Sequence, residues 1–399
     1  MLNSGQRRIR ALASLLMGIF VVATLCAPTA PANKLVFVGL MALTLAAGLA
    51  RPTQLRVPTI APLVVIAAFV YGFGLSLVNW VDDELSQQFA LASTVLVLIY
   101  PVIWFRIDFD QIVKIGGIAI CGLTALSFVF IVFLTDSAVS AVFLDLFVEY
   151  SLGAIGERDF LDDPVAMFSL GSTPFLFCAF CVFCRDFMRL HRFRDLLMVF
   201  IIILTVLLST SRGTLIVCIA AFVFLLLCEL NGQARWILAL LFGAITLVLG
   251  IYLSSQTDFF SLGETSNAIK VGHATSFFDN LTLTRSIIGQ GLGAYYFSGG
   301  RDEFVAHTEI TLFDMFRYLG VPVTAVVFAA LWVPQHSWAR TPVHSARYAV
   351  LFGLYLLLSL TNPVLFNSYG LLVVVWYWWH VLRTDTHHEP QRGLAGERA

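Results

Sequence analysis

Residues 112–134 read IVKIGGIAICGLTALSFVFIVFL, 23 residues with one charge, Lys114, near the start. As an α-helix rising ~1.5 Å per residue, this stretch covers ~34 Å, enough to cross a hydrocarbon core ~30 Å thick. A backbone in lipid has to satisfy its own N–H and C=O groups, and a helix does so within one segment. The same reading applies outward along the chain. Apolar runs precede it at 9–26, 35–50, 60–78 and 89–105 and follow it at 164–184, 196–209, 214–230, 236–253, 310–333, 346–360 and 364–382. The expectation is an all-α polytopic membrane protein with about twelve transmembrane helices. The seventh and eleventh runs are short, and the Asn362-Pro363 break after the eleventh also allows a re-entrant hairpin.

Composition agrees with this class. The 399 residues are 59% hydrophobic and only 12% charged, and the mean hydropathy is +0.86. That excludes a water-soluble globule, whose charged share is about twice as large. A membrane β-barrel is excluded because segments of about ten residues alternating in polarity are lacking. The net charge of -1 points to no nucleic-acid partner.

Lys and Arg near helix ends are retained in the cytoplasm. With the N-terminus inside, 17 of the 24 basic residues fall on cytoplasmic segments, including Arg7, Arg8, Arg10, Arg106, Arg185, Arg189, Arg192, Arg347 and Arg383. Of the 25 acids, 17 fall outside, among them Asp82-Asp83-Glu84. Both termini are therefore expected inside. Residues 1–383 form a single transmembrane domain, and 384–399 a disordered cytoplasmic tail. Two outside segments are long, 135–163 and 254–309, the latter between the ninth and tenth helices. In the first, 138–150 reads as an amphipathic helix with Phe143, Leu146 and Phe147 toward lipid and Asp145 and Glu149 toward water.

All seven Cys lie in apolar runs, so no disulfides are expected, and Cys178, Cys181 and Cys184 read as packing residues rather than a zinc site. Ionisable groups are missing from the middles of the runs, where a transporter would need them. They gather instead at outside helix ends: Arg212, Lys270, Arg285, Arg301, His307, Glu309, Asp314 and Arg317. Arg212 sits in a tight turn, Ser209-Thr210-Ser211-Arg212-Gly213, against the charge rule. It either snorkels to lipid phosphate or clamps a diphosphate through its paired planar donors. If the tenth helix begins before Ile310, His307, Thr311, Asp314 and Tyr318 form one stripe. Gly289-Gln290-Gly291-Leu292-Gly293 follows no strand, so it reads as backbone passing close to a ligand or a helix rather than a dinucleotide loop.

Taken together, the Ser-Arg-Gly turn opening an apolar helix, the glycine-rich 289–293 and the His307 segment before another apolar helix resemble the O-antigen ligase and O-antigen polymerase superfamily. The likeness covers about 196–333. It implies a fold like the C-type glycosyltransferases and a metal-independent, cofactor-free, inverting glycosyl transfer at the periplasmic face of the bacterial inner membrane. The partners it implies are an undecaprenyl-diphosphate-linked oligosaccharide, an acceptor glycan, membrane lipids and other polysaccharide assembly proteins. By the same likeness Arg212 and Arg285, backed by Lys270, Arg301 and Arg317, hold the diphosphate. His307, with Asp314 and Glu309 beside it, forms the catalytic set. Thr308 and Glu309 follow the histidine where many ligases carry Asn, which favours a polymerase over a ligase. Other readings remain open: a ligase, a metal-assisted enzyme built on Asp82-Asp83-Glu84, and an exporter of lipid-linked oligosaccharide.

Overall fold

The computed structural model describes residues 4–50, 58–81, 83–134, 137–150, 152–160, 163–229, 265–308, 310–333, 343–360 and 362–383. The chain is mainly helical. Helix α1 (Ser4–Cys26) packs against α2 (Pro31–Ala50), and α3 (Ala61–Val78) follows. Helix α4 (Asp83–Ser93) continues through a 3-10 turn, Thr94–Leu98, into α5 (Ile99–Trp104). Residues 112–134 belong to α6 (Phe109–Phe128) and the π-helical turn Val129–Phe133 that extends it. After α7 (Ala138–Glu149) come an antiparallel hairpin, β1 (Gly153–Phe160) and β2 (Asp163–Leu170), and then α8 (Leu176–Leu190), α9 (Phe193–Leu208) and α10 (Arg212–Glu229). Helices α11 (Thr265–Asp279) and α12 (Leu283–Ile288) lead to a second hairpin, β3 (Tyr296–Ser298) and β4 (Glu303–Val305). Helices α13 (Thr311–Trp332), α14 (Val343–Ser359) and α15 (Ser368–Arg383) complete the order.

Among the described residues, seven helical stretches are long and apolar enough to cross a membrane: Arg7–Cys26, Pro31–Ala50, Ala61–Val78, Glu84–Trp104, Phe109–Phe133, Arg212–Glu229 and Thr311–Trp332. The expected run 236–253 lies outside the described residues. The other four expected spans are shorter helices of 15, 16, 17 and 16 residues, α8, α9, α14 and α15. Two of them form the middle of the core. Every residue from Leu176 to Cys184 in α8 and from Gly370 to Leu382 in α15 is buried. A helix enclosed by protein has no need to match the full hydrocarbon thickness with its own length.

The run 164–184 is helical only in its second half. Residues 163–170 form β2, pairing Gly153 with Leu170 through Phe160 with Asp163. Phe168 and Leu170 are buried while Met167 and Ser169 are half-buried, the period of two that a strand requires. Helix α7 forms as expected, but its aromatic face turns inward. Phe147 is buried, the Phe143 ring lies 4.9 Å from that of Phe130, and Val139, Val142, Leu144, Leu146 and Val148 are exposed.

Charged residues meet at one end of the bundle. Arg185 bridges Asp110 and Asp186 at 2.7 and 2.6 Å, and Lys114 bridges Asp186 and Asp195 at 2.7 and 3.0 Å. Arg347 pairs with Glu229 at 2.9 Å, and Arg10 donates to the carbonyl of Arg106. Asp110 also accepts from Trp376 Nε1 at 2.9 Å and lies 3.0 Å from His380 Nε2. At the opposite end Ser172 donates to the carbonyl of Leu25, Thr29 to that of Tyr150 and Thr311 to that of Asn362.

Helix α13 is broken near its middle, where Gly320 takes φ 76° and Pro322 follows two residues later. Pro322 has no N–H for the carbonyl of Tyr318, four residues back. The glycine-rich segment supplies replacements: Gln290 N donates to Arg317 O at 2.8 Å and Gly291 N to Tyr318 O at 3.0 Å. Helix α3 grips the other side of this segment. Leu292 N donates to Gly72 O, Asn79 Nδ2 to Gln290 O and Tyr71 OH to Ile288 O. The close passage of backbone past helices, expected from Gly289 to Gly293, is thus present. Gly291 has φ 100°, and a Cβ there would run into the backbone of Ser76. We predict that Gly291→Ala lowers stability by about 1–3 kcal/mol through this clash and the left-handed strain. Gly74→Ala, which meets open space on α3, should be neutral or slightly stabilising. Thermal unfolding of the two variants in detergent checks the contrast, and equal midpoints would refute it.

Candidate functional site

The second hairpin and the start of α13 enclose a buried polar cluster at the end opposite the arginine-rich one. Arg317 is its centre, 4% exposed. Its guanidinium donates to the carbonyls of Ala294 and Ala306 and to Asp314 Oδ1 at 3.0 Å. It also lies over the Tyr296 ring at 4.4 Å and the Tyr318 ring at 4.9 Å. Tyr318 OH donates to the Ala306 carbonyl, and Thr308 N donates to Asp314 Oδ2 at 2.8 Å. Such a buried ion pair is tolerated because both partners find further hydrogen bonds. Its effect is to pin residues 306 and 308, on either side of His307, to α13.

His307 itself is exposed, in the loop after β4 and ahead of α13. It is therefore not on the helix, and the expected stripe with Thr311, Asp314 and Tyr318 does not form as one helical face. The helix starts at Thr311 because Thr308 and Asp314 hold the preceding loop non-helical: Ile310 N donates to Thr308 Oγ1 at 3.0 Å. Partial burial and the positive charges of Arg301 and Arg317 hold the His307 imidazole below its ordinary range.

Strand alternation sorts the hairpin side chains. Tyr296, Ser298 and Val305 are buried, whereas the cross-strand pair Phe297 and Phe304 is 43% and 69% exposed, its rings edge to face at 5.6 Å. From α11, His273 is buried, with Nδ1 2.6 Å from Ser298 Oγ, and Ser276 Oγ accepts from Gly299 N at 2.8 Å. Between these elements and α12 lies a cavity of about 300 Å³. Arg285, Tyr295, Phe297 and Phe304 line it together with the amide residues Asn280 and Gln290. Arg317 and Tyr296 also contribute to its lining, and burial raises the Tyr296 hydroxyl to about 12, so that it stays protonated near neutrality.

The structure therefore brings Arg285, Arg317, Asp314 and the His307 loop into one neighbourhood. Arg301 lies at the hairpin turn, 3.9 Å from Glu303, and Lys270 is on α11, beside the hairpin. Arg317 and Asp314 are tied to each other and to backbone, so they shape the site from beneath rather than standing open to a ligand. Arg212 is half-buried at the first residue of α10, which packs on α8, α9 and α14, and it does not line the cavity. Its turn is strained: Thr210 has φ 49°, rare for a β-branched residue, and its buried hydroxyl has no hydrogen-bond partner among the described residues. Glu309 and Asp82 lie outside the described residues.

Two parts of the site escaped the sequence reading, the His273–Ser298 bond and the aromatic cavity wall. A signal for the second was present. Tyr296-Phe297-Ser298 and Glu303-Phe304-Val305 flank Gly299-Gly300, a hairpin pattern that places Phe297 and Phe304 on the same face.

Comparison with protein families, with curated proteins and with solved structures finds no match for this chain.

The electrostatics of His307 can be tested without any substrate. Diethyl pyrocarbonate attacks a histidine only when its imidazole is neutral, and peptide mass mapping resolves His307 from the other seven histidines. We predict a half-modification pH below the ordinary 6.5. Arg301→Gln removes a nearby cation, which relieves the penalty on the imidazolium, so the midpoint should rise. A wild-type midpoint at or above 6.5, unmoved in Arg301→Gln, would contradict this account.

Proposed function

We propose that this protein is a polysaccharide polymerase of the bacterial inner membrane. It transfers a glycan from undecaprenyl diphosphate to a sugar hydroxyl of the acceptor chain, at the periplasmic face and with inversion. The observation that carries the reading is Arg285 on the wall of a cavity that it shares with Arg317, the residue whose guanidinium fixes the loop of His307. A cation for a departing diphosphate and a base for an incoming hydroxyl are the two groups such a transfer needs. The placement of this cluster at the end opposite the arginine-rich one is what the reading requires, with the arginine-rich end in the cytoplasm.

In the proposed reaction the acceptor hydroxyl oxygen attacks the anomeric carbon. The bond from that carbon to the diphosphate oxygen breaks, and its electron pair leaves with the diphosphate. The hydroxyl proton passes to His307, which its surroundings keep neutral near pH 7. Arg285 stabilises the charge that develops on the leaving group, aided by Lys270 and Arg301; Arg212, which does not line the cavity, is assigned to the diphosphate by the likeness of its Ser-Arg-Gly turn. A guanidinium presents paired donors to phosphate oxygens and an ammonium does not. Arg317 and Asp314 act as positioning residues.

Reporter fusions after Arg192 should report cytoplasm and those at Gly300 periplasm; a cytoplasmic signal at Gly300 would sink the scheme. In the purified system, Arg285→Lys and Arg212→Lys should each lower turnover by about a hundredfold at normal membrane abundance, the range for losing one transition-state donor. His307→Ala should abolish turnover, and excess chelator should not. Cells lacking the protein should carry single repeat units at the final destination. Full-length glycan stranded on undecaprenyl diphosphate would instead identify a ligase.

A further inference from the structure

We infer that the cavity walled by Phe297 and Phe304 is a pyranose-binding subsite, where the sugar next to the diphosphate stacks on these rings while Arg285 holds the phosphate. This rests on the proposed polymerase reading for the identity of the phosphate, but the ring-binding surface has its own evidence.

The first piece is the exposure of the rings themselves. Phe297 and Phe304 are a cross-strand pair on the outer face of a short hairpin, 43% and 69% exposed, with Tyr295 beside them at 50%. Their partners on the inner face, Tyr296 and Val305, already close the core on that side. The ring pair itself stabilises the hairpin by only about 0.2–1 kcal/mol, whereas burying such rings under a ligand removes a much larger apolar area from water.

A lipid surface is the competing occupant, and the residues between the two rings argue against it. The hairpin turn is Gly299-Gly300-Arg301-Asp302, and Arg301, Asp302 and Glu303 at the start of β4 are all exposed. Sinking both rings into hydrocarbon would drag three charges with them, at a cost of several kcal/mol. Nor is the surface uniformly apolar. Gln290 and Asn280 line the same cavity and bring carboxamides to its wall. Arg285 adds a charged wall. Flat aromatic faces combined with carboxamides and a guanidinium match a pyranose ring, whose axial C–H groups are apolar and whose rim carries hydroxyls. They do not match an acyl chain. A volume of about 300 Å³ is at the low end for small-molecule sites and suits a short saccharide stretch.

The walls are also fixed in advance of binding. Ser298 and Gly299 of the hairpin are bonded to His273 and Ser276 of α11, and the Arg317 guanidinium packs against the inner face of Tyr296. A site that is already ordered loses little conformational entropy when a sugar enters, which matters for ligands as polar as saccharides.

The test uses the full chain in nanodiscs of phosphatidylethanolamine and phosphatidylglycerol. Saturation-transfer NMR is recorded with methyl pyranosides of the hexose, N-acetylhexosamine, 6-deoxyhexose and hexuronate types, and inorganic diphosphate binding is measured separately. At least one pyranoside should receive saturation on its ring C–H protons. Phe297→Ser combined with Phe304→Ser should weaken that binding at least tenfold while diphosphate affinity changes less than twofold. Phe297→Tyr with Phe304→Tyr, which keeps the rings, should preserve binding and so separates loss of the surface from loss of the fold. No pyranoside contact in the wild-type protein, or equal contact in the serine variant, would overturn the inference. Ring-dependent pyranoside binding in a protein that forms no polymer would keep the subsite and remove the polymerase reading. Polymer formation without pyranoside contact would do the reverse.

Discussion

Two carbonyl groups in the middle of α13 determine how the site is built. Pro322 cannot donate to Tyr318 O, and the left-handed turn at Gly320 frees Arg317 O as well; both then accept from Gln290 and Gly291. An unpaired backbone carbonyl in a low-dielectric interior costs a few kcal/mol, so the loop and the helix break stabilise each other. Everything around the cavity follows from this pairing. The loop joins α12, with Arg285, to the β3–β4 hairpin, and the broken helix carries Arg317, whose guanidinium reaches back to Ala294 and Ala306. Backbone donors thus place the site, and the side chains are secured afterwards.

The two ends of the bundle use charge differently. At the arginine-rich end, Asp110, Lys114, Arg185, Asp186 and Asp195 pair across α6, α8 and α9, and His380 and Trp376 of α15 join through Asp110. Interlocked pairs of this kind contribute little net stability compared with apolar packing, but they admit one arrangement of the helices. At the other end, among the described residues, Arg317 and Asp314 form the buried pair, while Arg285, Arg301 and His307 stand at the surface.

Much of this was legible from sequence because a bilayer imposes strong rules on composition. Residues 112–134 read as a spanning helix and form one, and of the basic residues assigned to one side, Arg10, Lys114, Arg185, Arg189 and Arg347 make contacts at one end. The number of spans was less legible. Hydropathy reports that a segment avoids water but does not distinguish lipid from protein as its surroundings, and α8 and α15 are enclosed by protein. The half of 164–184 that pairs with β1 was misread for a related reason, since a partner strand supplies hydrogen bonds that composition does not reveal. In the site, the residue types were visible but their roles were not. Arg317 reads as a phosphate ligand until its carbonyl partners, 23 and 11 residues back along the chain, are seen to hold it. The placement of His307 off the helix depended on a hydrogen bond from Thr308 to Asp314, which no helical periodicity encodes.

The buried state of α15 has a consequence for how the protein is made. This helix follows all its neighbours in the chain, yet it packs against α1, α4, α5, α6 and α14. Synthesis runs from the N-terminus, so the earlier helices enter the bilayer before the element that fills their centre exists. Until then they have to leave a vacancy lined by residues meant for Trp376 and Trp378, filled meanwhile by lipid or by a helper protein. Closure of the bundle then becomes a late, single event in biogenesis, and a chain stopped before Ser368 would display an unfilled seam to the membrane's quality-control proteases.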